Sequence, residues 1–387
     1  MPQTILLRGA KQLVTLRGPS GVRRGAYLRD LGIIEDGSVL IRDGLVVSVG
    51  STRRIENLKE ARNALEISAS GRVAMPGLVD ASMSLSMDGL GAAHHRRLSA
   101  FQTETLDLLR SCLSHGTLAA DIKATANAAE LRPDVSILRK LAKIGSNPVR
   151  LSRTWKLAPF PENPQGHVEQ LQATFEVLAR RRLVHSIEFT ANGTPVPKLA
   201  ILGAARIIGI RVKLFWPGGD PDHLSLLLSE LNPHTVSSRP GLSEKETHVL
   251  AHSPAIAVFP AGREAFEGST DSAARRLVDE GGALALSSGY DSLSVATFSM
   301  QMALALAVFR FGLTAEEAIC AATINAAHAL GCGHLTGSIE YGKQADILVM
   351  NASDYREIPR QYGINHVEIA MREGSVVLNR TRWKGST

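Results

Sequence analysis

The chain has 387 residues, 44% of them hydrophobic, 21% charged and 5% aromatic, ordinary for a folded globular protein and too long for one small domain. Its net charge of +6 is modest, and the densest basic spots, Arg23-Arg24, Arg96-Arg97 and Arg180-Arg181-Arg182, lack interleaved aromatics, which argues for solvated surface and against a nucleic-acid partner. Cys112, Cys320 and Cys332 are odd in number and widely spaced, excluding a zinc knuckle or a disulfide framework, and no apolar run approaches the roughly 18 residues that span a bilayer, so a soluble, cytoplasmic protein without a membrane partner is expected.

Residues 4–16 alternate apolar and polar around Ile5, Leu6 and Leu7, the pattern of a strand. Residues 37–50 read as a hairpin, with β-branched runs flanking Asp43-Gly44, a dipeptide that tolerates the positive φ of a type I′ turn. From Val73 onward short apolar strands alternate with helices: strands are predicted at 73–82, 116–124, 148–156, 183–190, 211–216, 235–238, 255–260 and 283–288, with helices at 98–114, 167–182, 197–208, 243–252, 270–280 and 295–311. Runs such as Ala255-Ile-Ala-Val-Phe259 are apolar on both faces, as parallel strands covered on both sides must be. Eight such strands give a (β/α)8 barrel. Thr314 and Glu317 form a capping-box pair at the start of a helix that should run to Leu330 and stop at Gly331. The pattern then returns to strands, with Glu373-Gly374 as a turn. The expected α/β architecture is therefore a (β/α)8 TIM barrel over 71–335 and a small β-sandwich domain formed from both chain ends, 1–70 plus 336–387.

The stretch Arg72-Val-Ala-Met-Pro-Gly-Leu-Val-Asp-Ala-Ser-Met-Ser-Leu85 resembles the first barrel strand of the amidohydrolase superfamily, and the whole chain resembles imidazolonepropionases within it. The most specific stretches are Leu313-Thr-Ala-Glu-Glu-Ala318, Ala322-Thr-Ile-Asn-Ala-Ala-His-Ala-Leu-Gly331, Gly337-Ser-Ile-Glu-Tyr-Gly-Lys-Gln-Ala-Asp346, Asp354-Tyr-Arg-Glu-Ile-Pro359 and Tyr362-Gly-Ile-Asn365. His115-Gly-Thr with Lys123 resembles the second-strand motif, and Val212-Lys-Leu the fifth. The resemblance implies a barrel hydrolase that uses one divalent metal, zinc or iron, opens a cyclic amide C–N bond in histidine breakdown, and forms a homodimer.

The chain departs from that family where the chemistry lies. By the resemblance, the first two metal histidines align with Ser82 and Ser84, the third with Phe215, and the last-strand metal aspartate with Gly289. The catalytic glutamate becomes Gly218, the Asp-His pair after the sixth strand falls at about Val236-Ser237, the substrate-contacting arginine at about Gly91, and a tyrosine at Ala126. A catalytic metal needs about three protein donors near 2 Å; serine is a poor donor, and phenylalanine and glycine offer none. A bound metal lowers the pKa of water from about 15.7 to about 7, so its loss forfeits on the order of 12 kcal/mol. No catalytic residue, metal ligand or cofactor is therefore assigned. The expected vestigial pocket comprises Ser82, Ser84, Lys123, Phe215, Ser237, Ser288 and Asp291.

Asp121 and Lys123 share one strand face, as do Lys213 and Phe215 on another, which predicts an interior ion network below the rim. The alternative role for Lys123 is as partner to a nucleophilic Ser82, Ser84 or Ser237. His248 and His252 lie four apart on a helix expected outside the barrel, a surface pair. Three functions compete: a catalytically inactive homologue that binds a small-molecule ligand at the barrel mouth or joins an active relative in a hetero-oligomer; an active cyclic-amide hydrolase; and a pure binding protein whose rim carries Phe215, Trp216 and Tyr290.

Overall fold

The structure is a computed structural model that describes residues 4–86, 94–125, 135–144, 148–157, 168–191, 203, 205–268, 273–295 and 297–381. The expected helix over 197–208 lies largely outside the described residues, as do Gly91 and Ala126.

The chain opens with β1 (Thr4–Val14), β2 (Ile33–Arg42), β3 (Leu45–Ser51), β4 (Leu65–Ser68) and β5 (Val73–Pro76). The β2–β3 connection is the expected tight turn, with Asp43 at φ 51° and Gly44 at φ 81°. Eight parallel strands follow: β6 (Leu78–Ser86), β7 (Thr117–Thr125), β8 (Arg150–Lys156), β9 (Ser186–Thr190), β10 (Arg211–Trp216), β11 (Thr235–Ser238), β12 (Ile256–Pro260) and β13 (Ala283–Ser287). The chain closes with β14 (Ile347–Met350), β15 (Val367–Arg372) and β16 (Ser375–Asn379), the last two joined through Glu373 at φ 49° and Gly374 at φ 73°.

Two eight-stranded sheets result. In the first, both chain ends interleave in the order β16-β15-β14-β5-β1-β2-β3, with β4 also pairing β1. Ile5, Leu7, Val39 and Ile41 from the N-terminal half and Ile347, Val349, Ile369 and Met371 from the C-terminal half share one buried core. The second sheet pairs β6 through β13 in sequence order, each neighbour parallel. Helices including His94–Ser114, Val168–Arg180, Pro221–Leu231 and Met300–Phe309 connect the strands or follow the last of them.

The barrel is nearly closed at the β6–β13 seam by individual contacts. Ser84 N–H donates to Tyr290 O at 2.8 Å, and Ser292 N–H to Ser84 O at 3.1 Å. The Asp80 carboxylate joins the seam by accepting the N–H groups of Ser82 and Ser288 on one oxygen, at 3.2 and 3.1 Å.

Two elements differ from expectation for identifiable reasons. The strand predicted over 73–82 divides at Gly77: Gly77 N–H donates to Asp346 O beside the first sheet, and Leu78 N–H to Gly116 O in the barrel. A Cβ at Gly77 would sit 2.5 Å from Leu118 Cδ1, so glycine lets the chain pass between the sheets. Val73–Pro76 consequently belongs to the first sheet, not to the barrel. The helix expected from Thr314 to Leu330 has its capping box but splits into Ala315–Ala321 and Ile324–Ala329, because Ala322 O turns out to accept Val79 N–H of β6 at 2.8 Å.

Candidate functional site

Barrel enzymes place their chemistry at the C-terminal ends of the strands. There, Ser82 and Ser84 of β6, Lys123 of β7, Phe215 of β10 and Ser237 of β11 come together around a small void of about 40 Å3. Lys156 of β8, Glu188 of β9, Ser238, Arg263 and Tyr290 line it too. Sequence reasoning missed the first four, while Tyr290 was expected on the rim. Glu188 carried a signal, a single charge inside the apolar run Ile187-Glu-Phe189.

Ser288 and Asp291 depart from the expected pocket. Ser288 is fully buried, and its hydroxyl accepts Tyr290 N–H at 3.1 Å. Asp291 turns to Arg263, whose Nη2 donates to it at 3.0 Å, and accepts Leu293 N–H at 2.9 Å. Among the described residues neither lines the void.

Below the rim the barrel interior is charged. Lys213 Nζ donates to Asp121 Oδ2 at 2.8 Å, and Thr154 Oγ1 donates to the same carboxylate at 2.8 Å. Burial pushes the Asp121 carboxyl up, but the Lys213 ammonium and its hydrogen bond, with Lys123 behind them, outweigh this and hold it below the usual range. Lys123 Nζ forms an ion pair with Glu188. Lys156 Nζ stands 5.7 Å from the centroid of the Phe215 ring, a cation–π contact. The Ser237 hydroxyl, on a residue only 9% exposed, has no hydrogen-bond partner among the described residues.

Asp80 of β6 is a second buried, perturbed carboxyl. Full burial pushes it up to about 7, with bonds from Ser288 and Ser82 partly offsetting the cost of desolvation. Its second oxygen is buried without a partner among the described residues, an arrangement that suits a protonated carboxyl.

Two of the four positions that the resemblance aligns with metal ligands, Ser82 and Ser84, carry hydroxyls; Phe215 is aromatic and Gly289 bare. Gly289 has φ 73°, and a Cβ there would lie 2.8 Å from Arg263 N, so the backbone itself is unsuited to a side chain. Among the described residues, one group of three His, Cys, Asp or Glu side chains is close enough to share an ion: His248, His252 and Glu280. It lies on the helix Glu244–Ala251 and just past Ala273–Asp279, with both imidazoles exposed and away from the mouth. A roomier cleft of about 370 Å3, lined by Arg206, Arg211 and His234, sits at the opposite, N-terminal ends of β10 and β11.

The Amidohydrolase family matches residues 260–377. Over its length the chain is 30% identical to an imidazolonepropionase of Chloroflexus aggregans, with 97% of this chain and 99% of that protein covered. It belongs to the imidazolonepropionase-like amidohydrolases. An imidazolonepropionase of Brevibacillus brevis is 28% identical over 99% of this chain and 100% of its own. Among solved structures, an amidohydrolase from an environmental sample of the Sargasso Sea superposes with a TM-score of 0.74 at 15% identity, over 97% of this chain and 93% of that one. This likeness extends to the barrel and the composite sheet. All three cysteines of this amidohydrolase are free and buried, and among its described residues no helix is long and apolar enough to cross a membrane.

Proposed function

We propose that this imidazolonepropionase-like protein has lost its catalytic metal site and acts without metal-dependent hydrolysis, as a ligand-binding homologue or as the partner subunit of an active relative. One observation carries the reading: Ser82, Ser84, Phe215 and Gly289 meet around a single void where a chelating set would have to stand. Zinc or iron needs about three nitrogen, oxygen or sulfur donors of suitable charge. The carboxylates closest to the rim are committed, Glu188 to Lys123 and Asp291 to Arg263. The residues at the mouth therefore do not fit a catalytic metal.

The void as bounded by described residues is also small, room for roughly three or four water molecules at about 10–15 Å3 of void each. A ligand there would meet hydroxyls, an aromatic face and the Lys156 ammonium. Lys123 is paired with Glu188, which speaks against the Ser–Lys nucleophile reading. The opposing reading, an active cyclic-amide hydrolase, draws on the similarity to imidazolonepropionases along nearly the whole chain.

Turnover of imidazolone propionate by protein produced with added zinc and iron separates the two. The expected outcome is no hydrolysis above the uncatalysed rate. Turnover that disappears on changing Ser237→Ala or on adding a chelator would overturn the proposal.

A further inference from the structure

Outside the barrel, His248 and His252 occupy positions i and i+4 at the end of the helix Glu244–Ala251, where side chains four apart lie on one face. Their ring centroids are 4.3 Å apart. Glu280, just beyond the neighbouring helix, completes the cluster, and one donor atom from each of the three falls within 4.8 Å of the others.

The hydrogen bonds decide what these rings offer. His252 Nδ1 lies 2.9 Å from His248 O, and a carbonyl only accepts, so Nδ1 carries the proton. His248 Nδ1 lies 2.8 Å from Glu280 Oε2, and an ionised carboxylate likewise only accepts. In the neutral rings this fixes both tautomers and leaves the lone pair on Nε2. This is how metal-ligating histidines are held, with one ring N–H tied to a carboxylate or a backbone carbonyl and the other nitrogen presented to the ion. Two imidazole nitrogens suit zinc, nickel or copper, and suit the harder magnesium and calcium ions poorly.

We propose that His248, His252 and Glu280 form a surface site for one divalent late transition-metal ion. His248 and His252 supply Nε2 donors, Glu280 orients His248, and solvent fills the remaining positions. The ion would staple the last turn of the helix Glu244–Ala251, and Glu280 ties His248 to the segment that leads into β13.

Calorimetric titration of the full chain, stripped with a chelator, tests this with zinc chloride and, separately, magnesium chloride. A saturable isotherm of one zinc per chain with no magnesium binding supports the site, as does a zinc-dependent rise in Tm. His252→Ala changes an exposed residue and should keep the unliganded Tm while abolishing saturable zinc binding. Glu280→Gln should weaken binding by roughly 10–100-fold, as expected for a residue that orients a ligand. Absence of saturable zinc binding by the unaltered chain overturns the proposal, as does an isotherm unchanged by His252→Ala. Tight zinc binding that survives His248→Ala with His252→Ala would place the ion elsewhere and count against the metal-free barrel mouth as well.

Discussion

At the residue scale, two buried carboxylates behave in opposite ways because their surroundings differ. Asp121 has Lys213 and Thr154 against it and stays ionised. Asp80 has backbone N–H groups on one oxygen and, among the described residues, no partner on the other, and rises to about 7. Its ordinary value is 3.8, so between about pH 4 and 7 the folded chain keeps a proton that the unfolded chain releases. Its contribution is therefore fully present below about pH 4, falls by at most about 1.4 kcal/mol per pH unit through that window, and is level above it. Asp80→Asn mimics the protonated form, and urea unfolding from pH 4 to 8 should show the variant gaining on the parent chain as pH rises; parallel curves would refute this. Lys213→Met removes the cation that offsets the burial of Asp121, which is expected to cost about 3–5 kcal/mol. Lys213→Met combined with Asp121→Leu should recover much of that loss in the same assay.

At the scale of elements, glycines mark where the chain leaves the regular pattern. Gly77 passes the chain from the composite sheet to the barrel, and Gly289 turns it at the rim beside Arg263. Gly289→Asp would reinstate the carboxylate that the resemblance aligns there. With φ at 73° and Arg263 N only 2.8 Å from the new Cβ, the variant should instead lose about 1–3 kcal/mol of stability and gain no metal affinity. Thermal unfolding and zinc titration would check both parts. The strand and helix sequence was legible because parallel strands covered on both faces are short and apolar throughout, and because capping pairs such as Thr314 with Glu317 announce themselves. The division at Gly77 was hidden because Val73-Ala-Met-Pro-Gly-Leu-Val79 is apolar on both sides of the break, so the change of hydrogen-bond partner leaves no mark in the pattern. Ala322, which leaves its helix to accept Val79 N–H, was hidden for the same reason: a contact between distant segments overrides local propensity.

At the scale of the molecule, the first sheet draws strands from both chain ends, and the barrel between them presents its strand termini to one mouth. The family resemblance pointed to Ser82, Ser84, Phe215 and Ser237, and period-two parity set Lys123 and Phe215 on inward strand faces; the structure brings all five around one void. Neither could show that Asp291 turns to Arg263, or that Lys156 and Glu188 reach the rim, since those depend on distances between strands far apart in sequence. The account rests on this mouth being unable to hold a catalytic ion. Metal analysis tests that most directly, on chain carrying His248→Ala and His252→Ala so that the surface pair cannot contribute, produced with added zinc and iron and dialysed against a weak chelator. The account predicts substoichiometric metal; one tightly retained equivalent per chain would contradict it.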